Sequence, residues 1–361
     1  MPPPTHTRAD FDHSPMIVFY ETTRACDLAC KHCRADAQRD CDPNELSTDA
    51  ARRIIADLAR FPKPPLLVLT GGDPIKRPDV FDLIAFARRQ ELQVAMTPSA
   101  TPLVTPSVIR NLKQAGLHRL AVSLDGADPA THDDFRQVSG SFSRTLRIID
   151  DARRIGLPVQ VNTTVGRHNV DQLQRIAQVL ARRNIVLWSI FFIVPTGRAT
   201  AEQRLTAPEV ESTFAQIHRI SKLVPFPVKT TEAPHYRRFI LEQFKGTSTV
   251  RASMAAPGMG GTNDGKGILF ISHTGEIYPS GFLPICCGQA PFDSVVRVYQ
   301  QSTLFRALRD ADRLGGKCGR CEFRHLCGGS RARAFAVSGD PLAEEPDCIY
   351  HPPPRAAAAG G

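Results

Sequence analysis

Three cysteines, Cys26, Cys30 and Cys33, stand in the stretch TRACDLACKHCRAD with the spacing Cys-x3-Cys-x2-Cys. Thiolates are soft ligands for zinc and for iron-sulfur clusters, and three held this close can serve one metal centre. On a four-iron cluster, three thiolates leave one iron without a protein ligand, open to a small chelating molecule. A zinc knuckle would need a fourth ligand, for which His32 and Cys41 are the neighbours at hand.

A second group, Cys318, Cys321, Cys327 and Cys348, has the spacing Cys-x2-Cys-x5-Cys-x20-Cys. Four thiolates saturate either a four-iron cluster or a structural zinc, so this group taken alone selects neither. The adjacent pair Cys286 and Cys287 precedes it, and binds a further cluster, binds substrate, or packs as small apolar side chains. No cysteine lies between Cys41 and Cys286. Clustering of this kind, in a chain whose first residues lack an apolar export signal, points to metal rather than to a disulfide framework.

The cysteine-free middle is what must position these ends. Short apolar runs ending in small or polar residues (MIVFYETTRAC, PLLVLTGGDP, QVAMTPSA, RLAVSLDG, VQVNTTVGRH, VLWSIFFIVPTGRA) alternate with amphipathic helical stretches over 47–61, 77–90, 105–116, 141–156 and 169–184. Ser47, Thr105 and Ser141 suit helix N-caps, and Gly116 and Gly156 suit left-handed C-caps. Six strand-helix alternations predict parallel strands with right-handed crossovers, as a doubly wound sheet or a barrel. In a barrel the polar residues at the strand ends gather on one rim, and a count of six leaves the barrel open on one side.

Composition sets the frame: 361 residues, 42% hydrophobic and 22% charged, suffice for one large α/β domain and a smaller one. The net charge of +9 comes from dispersed arginines without a basic block, which argues against a nucleic-acid partner and only weakly for anionic ones. The longest apolar run, Ile185 to Val194, is broken by Ser189 and too short to cross a membrane. A soluble cytoplasmic protein is expected.

CDLACKHC after the first strand, TGGDP after the second, SLDG after the fourth and VNTT after the fifth resemble the radical S-adenosylmethionine (radical SAM) superfamily over residues 14–200. The resemblance implies a partial (β/α)6 TIM-like barrel. It also implies a [4Fe-4S] cluster on Cys26, Cys30 and Cys33, with S-adenosylmethionine (SAM) chelating the fourth iron. Reductive cleavage of SAM would then yield a 5′-deoxyadenosyl radical that abstracts hydrogen from a substrate, with electrons from a donor such as flavodoxin or ferredoxin. SAM contacts are expected from Gly71, Gly72 and Asp73, the last standing where the family usually has Glu, and from Ser123, Asp125, Asn162 and Thr164. Arg136 and Arg198 are candidates for its carboxylate, and Ser99 is a further rim candidate.

The stretch CGRCEFRHLCGGSRARAFAVSGDPLAEEPDC resembles the SPASM extension of radical SAM enzymes, above all the haem d1 and alternative haem-synthesis branch, which also shows wording like HTGEIYPSGFLP. This implies an auxiliary [4Fe-4S] cluster on Cys318, Cys321, Cys327 and Cys348. Ser280 stands where many such domains have a further cysteine. The implied substrate is a tetrapyrrole bearing carboxylates; a peptide-modifying maturase, and a non-catalytic metal or haem carrier on the same scaffold, are the alternatives. In TEAPHYRR, His235 and Tyr236 are candidates to meet substrate. The expected organisation is a disordered start (1–13), the barrel (14–200), a connecting segment with a flexible glycine-rich loop at 254–267 (201–267), a SPASM-type iron-sulfur domain (268–350) and a disordered tail (351–361).

Overall fold

The computed structural model describes residues 8–243 and 261–353. Among these residues ten strands form one sheet: β1 (Ile17–Thr23), β2 (Leu66–Gly71), β3 (Val94–Met96), β4 (Arg119–Ser123), β5 (Val159–Val165), β6 (Leu187–Phe192), β7 (Val228–Thr231), β8 (Ile268–Ile271), β9 (Glu276–Tyr278) and β10 (Gly288–Gln289). Their order is β10-β9-β8-β1-β2-β3-β4-β5-β6-β7. Pairings from β8 through β1 to β7 are all parallel, while β9 and β10 add antiparallel at the outer edge. β7 and β8 end the parallel run without pairing to each other, so the barrel is partial.

The six expected strands are all present, and two more parallel strands extend them. β7 escaped notice because four residues preceded by Pro225 and Pro227 carry no periodic signal. β8 pairs with β1 in register Ile17 to Ile268, so the sheet of the barrel continues into the C-terminal region.

Local chemistry explains the helices. Ser47 and Thr105 accept hydrogen bonds from the N–H groups of Ala50 and Val108, and Asp128 does the same for Thr131. Gly116 and Gly156 take positive φ values of 102° and 68°, as expected of helix ends. Ser141 is not a cap: Gly140 precedes the helix, and the Ser141 hydroxyl instead lies 3.2 Å from Nε2 of buried His132. Between helices and sheet, a continuous core includes Ile54, Leu58, Leu69, Val122 and Val161 with no exposed surface or nearly none. Trp188 belongs to it, its indole N–H satisfied by Thr163 Oγ1 at 2.8 Å.

Two expectations of disorder need correction. Residues Arg8–Asp12 form a 3-10 turn, anchored because Phe11 is buried and its carbonyl accepts from the Tyr299 hydroxyl at 2.7 Å. Of the glycine-rich loop, 254–260 lies outside the described residues, but 261–267 is a closed turn: Asn263 and Lys266 exchange backbone hydrogen bonds, and the Gly267 carbonyl accepts from Met16 and Ile17. Of the tail, 354–361 lies outside. No helix among the described residues is long and apolar enough to cross a membrane.

Candidate active site

The loop leaving β1 carries Cys26, Cys30 and Cys33 at the C-terminal end of the barrel. It is pinned from several directions: Cys26 N–H donates to Gln38, Lys31 N–H to Phe135 and Arg198 N–H to Cys33, each to the backbone carbonyl. Each sulfur faces a donor, Leu28 N–H at 3.4 Å from Cys26, Arg136 Nη1 at 3.7 Å from Cys30 and Ala37 N–H at 3.3 Å from Cys33. Leu28, Ala35 and Ala37 pack around the thiols as a small apolar cluster. Burial pushes the thiols of Cys26 and Cys30 up, so as free side chains they stay protonated. A bound cation reverses this, since a coordinating thiol is deprotonated by the metal.

The second strand end abuts this loop. A Cβ on Gly72 would sit 2.4 Å from the Ala25 carbonyl oxygen, and one on Gly71, whose φ is 144°, would sit 2.2 Å from that of Thr23. The glycines are thus required by the approach of the cysteine loop itself, whatever ligand lies above. Asp73 is fully buried and does not line the cavity; it accepts from Thr101 Oγ1 at 2.8 Å and from the N–H groups of Ile75 and Ser99. Ser99 in turn donates to the Gly72 carbonyl at 2.8 Å and lies 3.2 Å from Cys26 Sγ, which stitches three strand ends together.

Ser123, Asn162 and Thr164 line the cavity at this rim, but Asp125 does not. Its buried carboxylate is taken up by Arg136 (Nε at 2.7 Å) and by the N–H of Thr164 at 2.6 Å. Burial works to raise its pKa, and the Arg136 charge overrides this, aided by His32, His132 and the Thr164 N–H, to bring it to about 2. Arg136 is therefore committed to Asp125 and Cys30 rather than free to fork onto a carboxylate. Arg198 is held under the cysteine loop, with Nη1 3.4 Å from the Ala37 carbonyl and Nε 3.9 Å from Asp36. His32 is stacked on Phe135 (centroids 4.2 Å apart), which is stacked in turn on His168. Burial brings His32 to about 3 and keeps it neutral. Cys41 is exposed and lies off the cavity.

Beneath the rim lies a cavity of about 600 Å3, within the range of small-molecule sites. Its walls include Phe19, Val68, Phe191, Ile268 and Phe270. Tyr236, Glu232 and Arg237 reach it from the segment after β7, as anticipated for Tyr236. Sequence reasoning passed over Arg119 and Gln160, although strand alternation puts Arg119 on the face of Ser123 and Gln160 on that of Asn162. It also missed Glu21, whose carboxylate takes Arg34 Nη2 and the His273 ring, both at 2.8 Å.

The C-terminal thiols surround a second, smaller pocket lined by Cys318, Cys321, Cys327 and Cys348. N–H groups again face sulfur: Glu345 to Cys318 at 3.2 Å, Gly329 to Cys327 at 3.4 Å, with Phe323 and Tyr350 donating to Cys321 and Cys348. Burial raises Cys321 to about 11 and Cys327 to about 12. His235 belongs here and not to the large cavity: it is fully buried against the thiol pocket, and neither ring nitrogen has a hydrogen-bond partner among the described residues, Glu345 lying 3.9 Å from Nδ1. Buried sulfurs ringed by N–H donors, beside an orphaned imidazole, suit a group that supplies both positive charge and sulfur acceptors. Cys286 is exposed and Cys287 packs against the core edge; neither lines this pocket.

A family model described as Radical SAM superfamily matches residues 20–180. An "AdoMet-dependent heme synthase" of Nitratidesulfovibrio vulgaris is 40% identical over 341 residues, which are 93% of this chain and 92% of that protein. A "Pre-heme d1 synthase" of Dinoroseobacter shibae is 27% identical, over 92% of this chain and 85% of that one. Among solved structures, Streptococcus suis SuiB bound to S-adenosylmethionine superposes with a TM-score of 0.71 over 94% of this chain and 78% of that one, at 15% identity, which speaks for the fold alone.

Proposed function

The chain belongs to the radical SAM superfamily, and from that premise we propose that it modifies a tetrapyrrole bearing carboxylate groups, using a SAM-binding [4Fe-4S] cluster on Cys26, Cys30 and Cys33 and an auxiliary [4Fe-4S] cluster on Cys318, Cys321, Cys327 and Cys348. Cys26, Cys30 and Cys33 would hold the cluster that, when bound, would supply the electron for reductive cleavage of SAM and so for hydrogen abstraction from the substrate.

The protein's share of the work is placement. The N–H groups of Leu28 and Ala37 and the Arg136 guanidinium stabilise negative charge on the three sulfurs. Leu28, Ala35 and Ala37 keep water from the thiols. Gly71 and Gly72 present bare backbone at the rim, while Ser123, Asn162 and Thr164 offer hydroxyl and amide groups toward SAM. Asp73 acts beneath them, as a brace that holds Ser99 and Thr101. Phe19, Phe191 and Phe270 give the substrate apolar walls that a flat macrocycle can cover.

One observation carries the reading: the three N-terminal thiols open directly onto a 600 Å3 apolar-walled cavity, in a chain that matches a haem synthase over 93% of its length. Protein reconstituted with iron and sulfide without oxygen should turn SAM into 5′-deoxyadenosine, faster when an iron porphyrin bearing propionates is added. Stimulation by a peptide in place of the porphyrin would move the assignment to peptide maturation. Zinc in place of iron, with no SAM cleavage, would leave a carrier.

A further inference from the structure

The charged groups that line the large cavity are nearly all spoken for. Arg34 is paired with Glu21, Arg136 with Asp125, and Arg237 donates to the carbonyls of Leu326 and Thr262. Glu232 accepts from Ser330 Oγ and Asp264 from the Ala332 N–H. Two cations stand apart from this pattern. Arg119 opens β4 and Lys229 is the second residue of β7. Neither makes an ion pair with any described residue. The Arg119 side chain reaches only the Gln160 amide oxygen, at 3.5 Å, and its Nε is buried without a partner among the described residues; the Lys229 side chain has no hydrogen bond among them. The stretches outside the description, 1–7, 244–260 and 354–361, contain no Asp or Glu that could complete the pair.

Lys229 presents accessible surface and is among the residues that line the cavity. The protein around it explains why burial first, and the Arg119 charge second, push it down to about 8. Two like charges lining one cavity, with no counter-ion among the described residues, repel each other unless an anion arrives. Their height in the barrel identifies which anion. Both lie at the strand starts, whereas Ser123 closes β4 at the rim, four residues beyond Arg119 and so roughly 13 Å away at about 3.3 Å per residue. An amino-acid carboxylate anchored on the rim cluster does not span that distance.

We propose that Arg119 and Lys229 form an anion subsite at the deep end of the barrel, which takes a carboxylate of the substrate and so fixes which edge of it points toward the rim. This rests on the cavity being the substrate cavity. Gln160 completes the arrangement: its oxygen faces Arg119 while its amide N–H donates to Asn162 at 2.8 Å, linking the deep end to the rim residues. An extended substrate held at its far end by a charged fork presents its near edge to the SAM site in one orientation.

The test uses the reconstituted protein with Arg119→Met, Lys229→Met and the double variant. Removing unpaired charge should leave the fold intact and the melting temperature unchanged or higher, and SAM affinity and basal SAM cleavage should not change. Binding is titrated with a propionate-bearing porphyrin and with its methyl ester. Wild type should prefer the acid, and each variant should weaken acid binding roughly 10- to 100-fold while leaving ester binding alone. If wild type prefers the acid and the double variant keeps that preference, the subsite is refuted and the function stands. A tenfold loss of SAM affinity in the variants would also refute it, since the anion would then be SAM. If wild type binds neither porphyrin, the tetrapyrrole reading fails by itself. Succinate is then tested for protection of Lys229 against amine acylation: protection retains a carboxylate subsite, and equal labelling refutes it.

Discussion

Arg136 Nη1 lies 3.7 Å from Sγ of Cys30 while the same guanidinium closes an ion pair with the fully buried Asp125. One side chain thus joins the cysteine loop to the end of β4. Arg136→Met strands a buried carboxylate that has no other ion pair among the described residues, at a cost of about 3–5 kcal/mol, and the double variant with Asp125→Asn should recover much of it. The pair also sets an acid limit. Asp125 has a folded pKa of about 2 against an ordinary 3.8, so its contribution is complete above the ordinary value and is lost as pH falls toward 2. Denaturant midpoints of wild type and double variant should therefore converge at the acid end and separate above it.

Gly72→Ala tests the packing of the two motifs. The new Cβ would meet the carbonyl oxygens of Ala25 and Arg24 at 2.4 and 2.6 Å, backbone atoms that cannot turn aside. A loss of about 1–3 kcal/mol is expected, together with reduced iron at the N-terminal site because the cysteine loop must shift. Gly140→Ala is the control: its Cβ would meet nothing within 4 Å, so only backbone strain is added, and iron content should hold.

The cysteine spacings, the strand-helix alternation and the rim glycines were legible because each is a local pattern with a physical period or a fixed chemistry. The partnership of Asp125 with Arg136 was not, since it depends on how the helix Pro129–Arg136 folds back over its own strand. Arg119 looked like any dispersed arginine, and only the cavity distinguishes it from those on the surface. His235 and Tyr236 are adjacent in sequence yet face different pockets, a division that helix geometry makes and residue type does not. Gly71 and Gly72 were expected to favour a ligand, and the structure shows that the neighbouring backbone demands them first.

His273 fastens the start of the C-terminal region to the barrel. Its Nδ1 is 2.8 Å from Glu21 and its Nε2 3.5 Å from Asp42. Burial disfavours the imidazolium, but the hydrogen bond and charge of Glu21, with Asp42 behind them, raise its pKa above the ordinary value. A raised histidine contributes stability in full below its unfolded pKa near 6.5, and that contribution is lost as pH rises through the folded value. His273→Gln should flatten the decline in melting temperature above neutrality.

Cys30→Ala should lose about four irons per chain and all SAM cleavage, while far-ultraviolet circular dichroism stays native, because the barrel core does not depend on that loop. Cys41→Ala should keep both iron and cleavage, its side chain being exposed and off the cavity. Iron loss in the second variant would make Cys41 a ligand.

The two thiol sites are separate pockets with no shared lining residue, and this predicts separable defects. Replacing both Cys321 and Cys327 by Ala should remove about four irons and leave the remainder at the N-terminal site, since a four-iron cluster is not held by Cys318 and Cys348 alone. SAM positioning relies on Gly71, Gly72, Ser123, Asn162 and Thr164, none of which touches the C-terminal pocket, so 5′-deoxyadenosine should still form. Product from the added porphyrin should not, because an electron entering or leaving the substrate would have lost its route. Zinc at this site in anaerobically reconstituted wild type would make the four cysteines structural, and the orphaned His235 nitrogens would then need another partner. Unchanged product in the double variant would take the second site out of the reaction altogether.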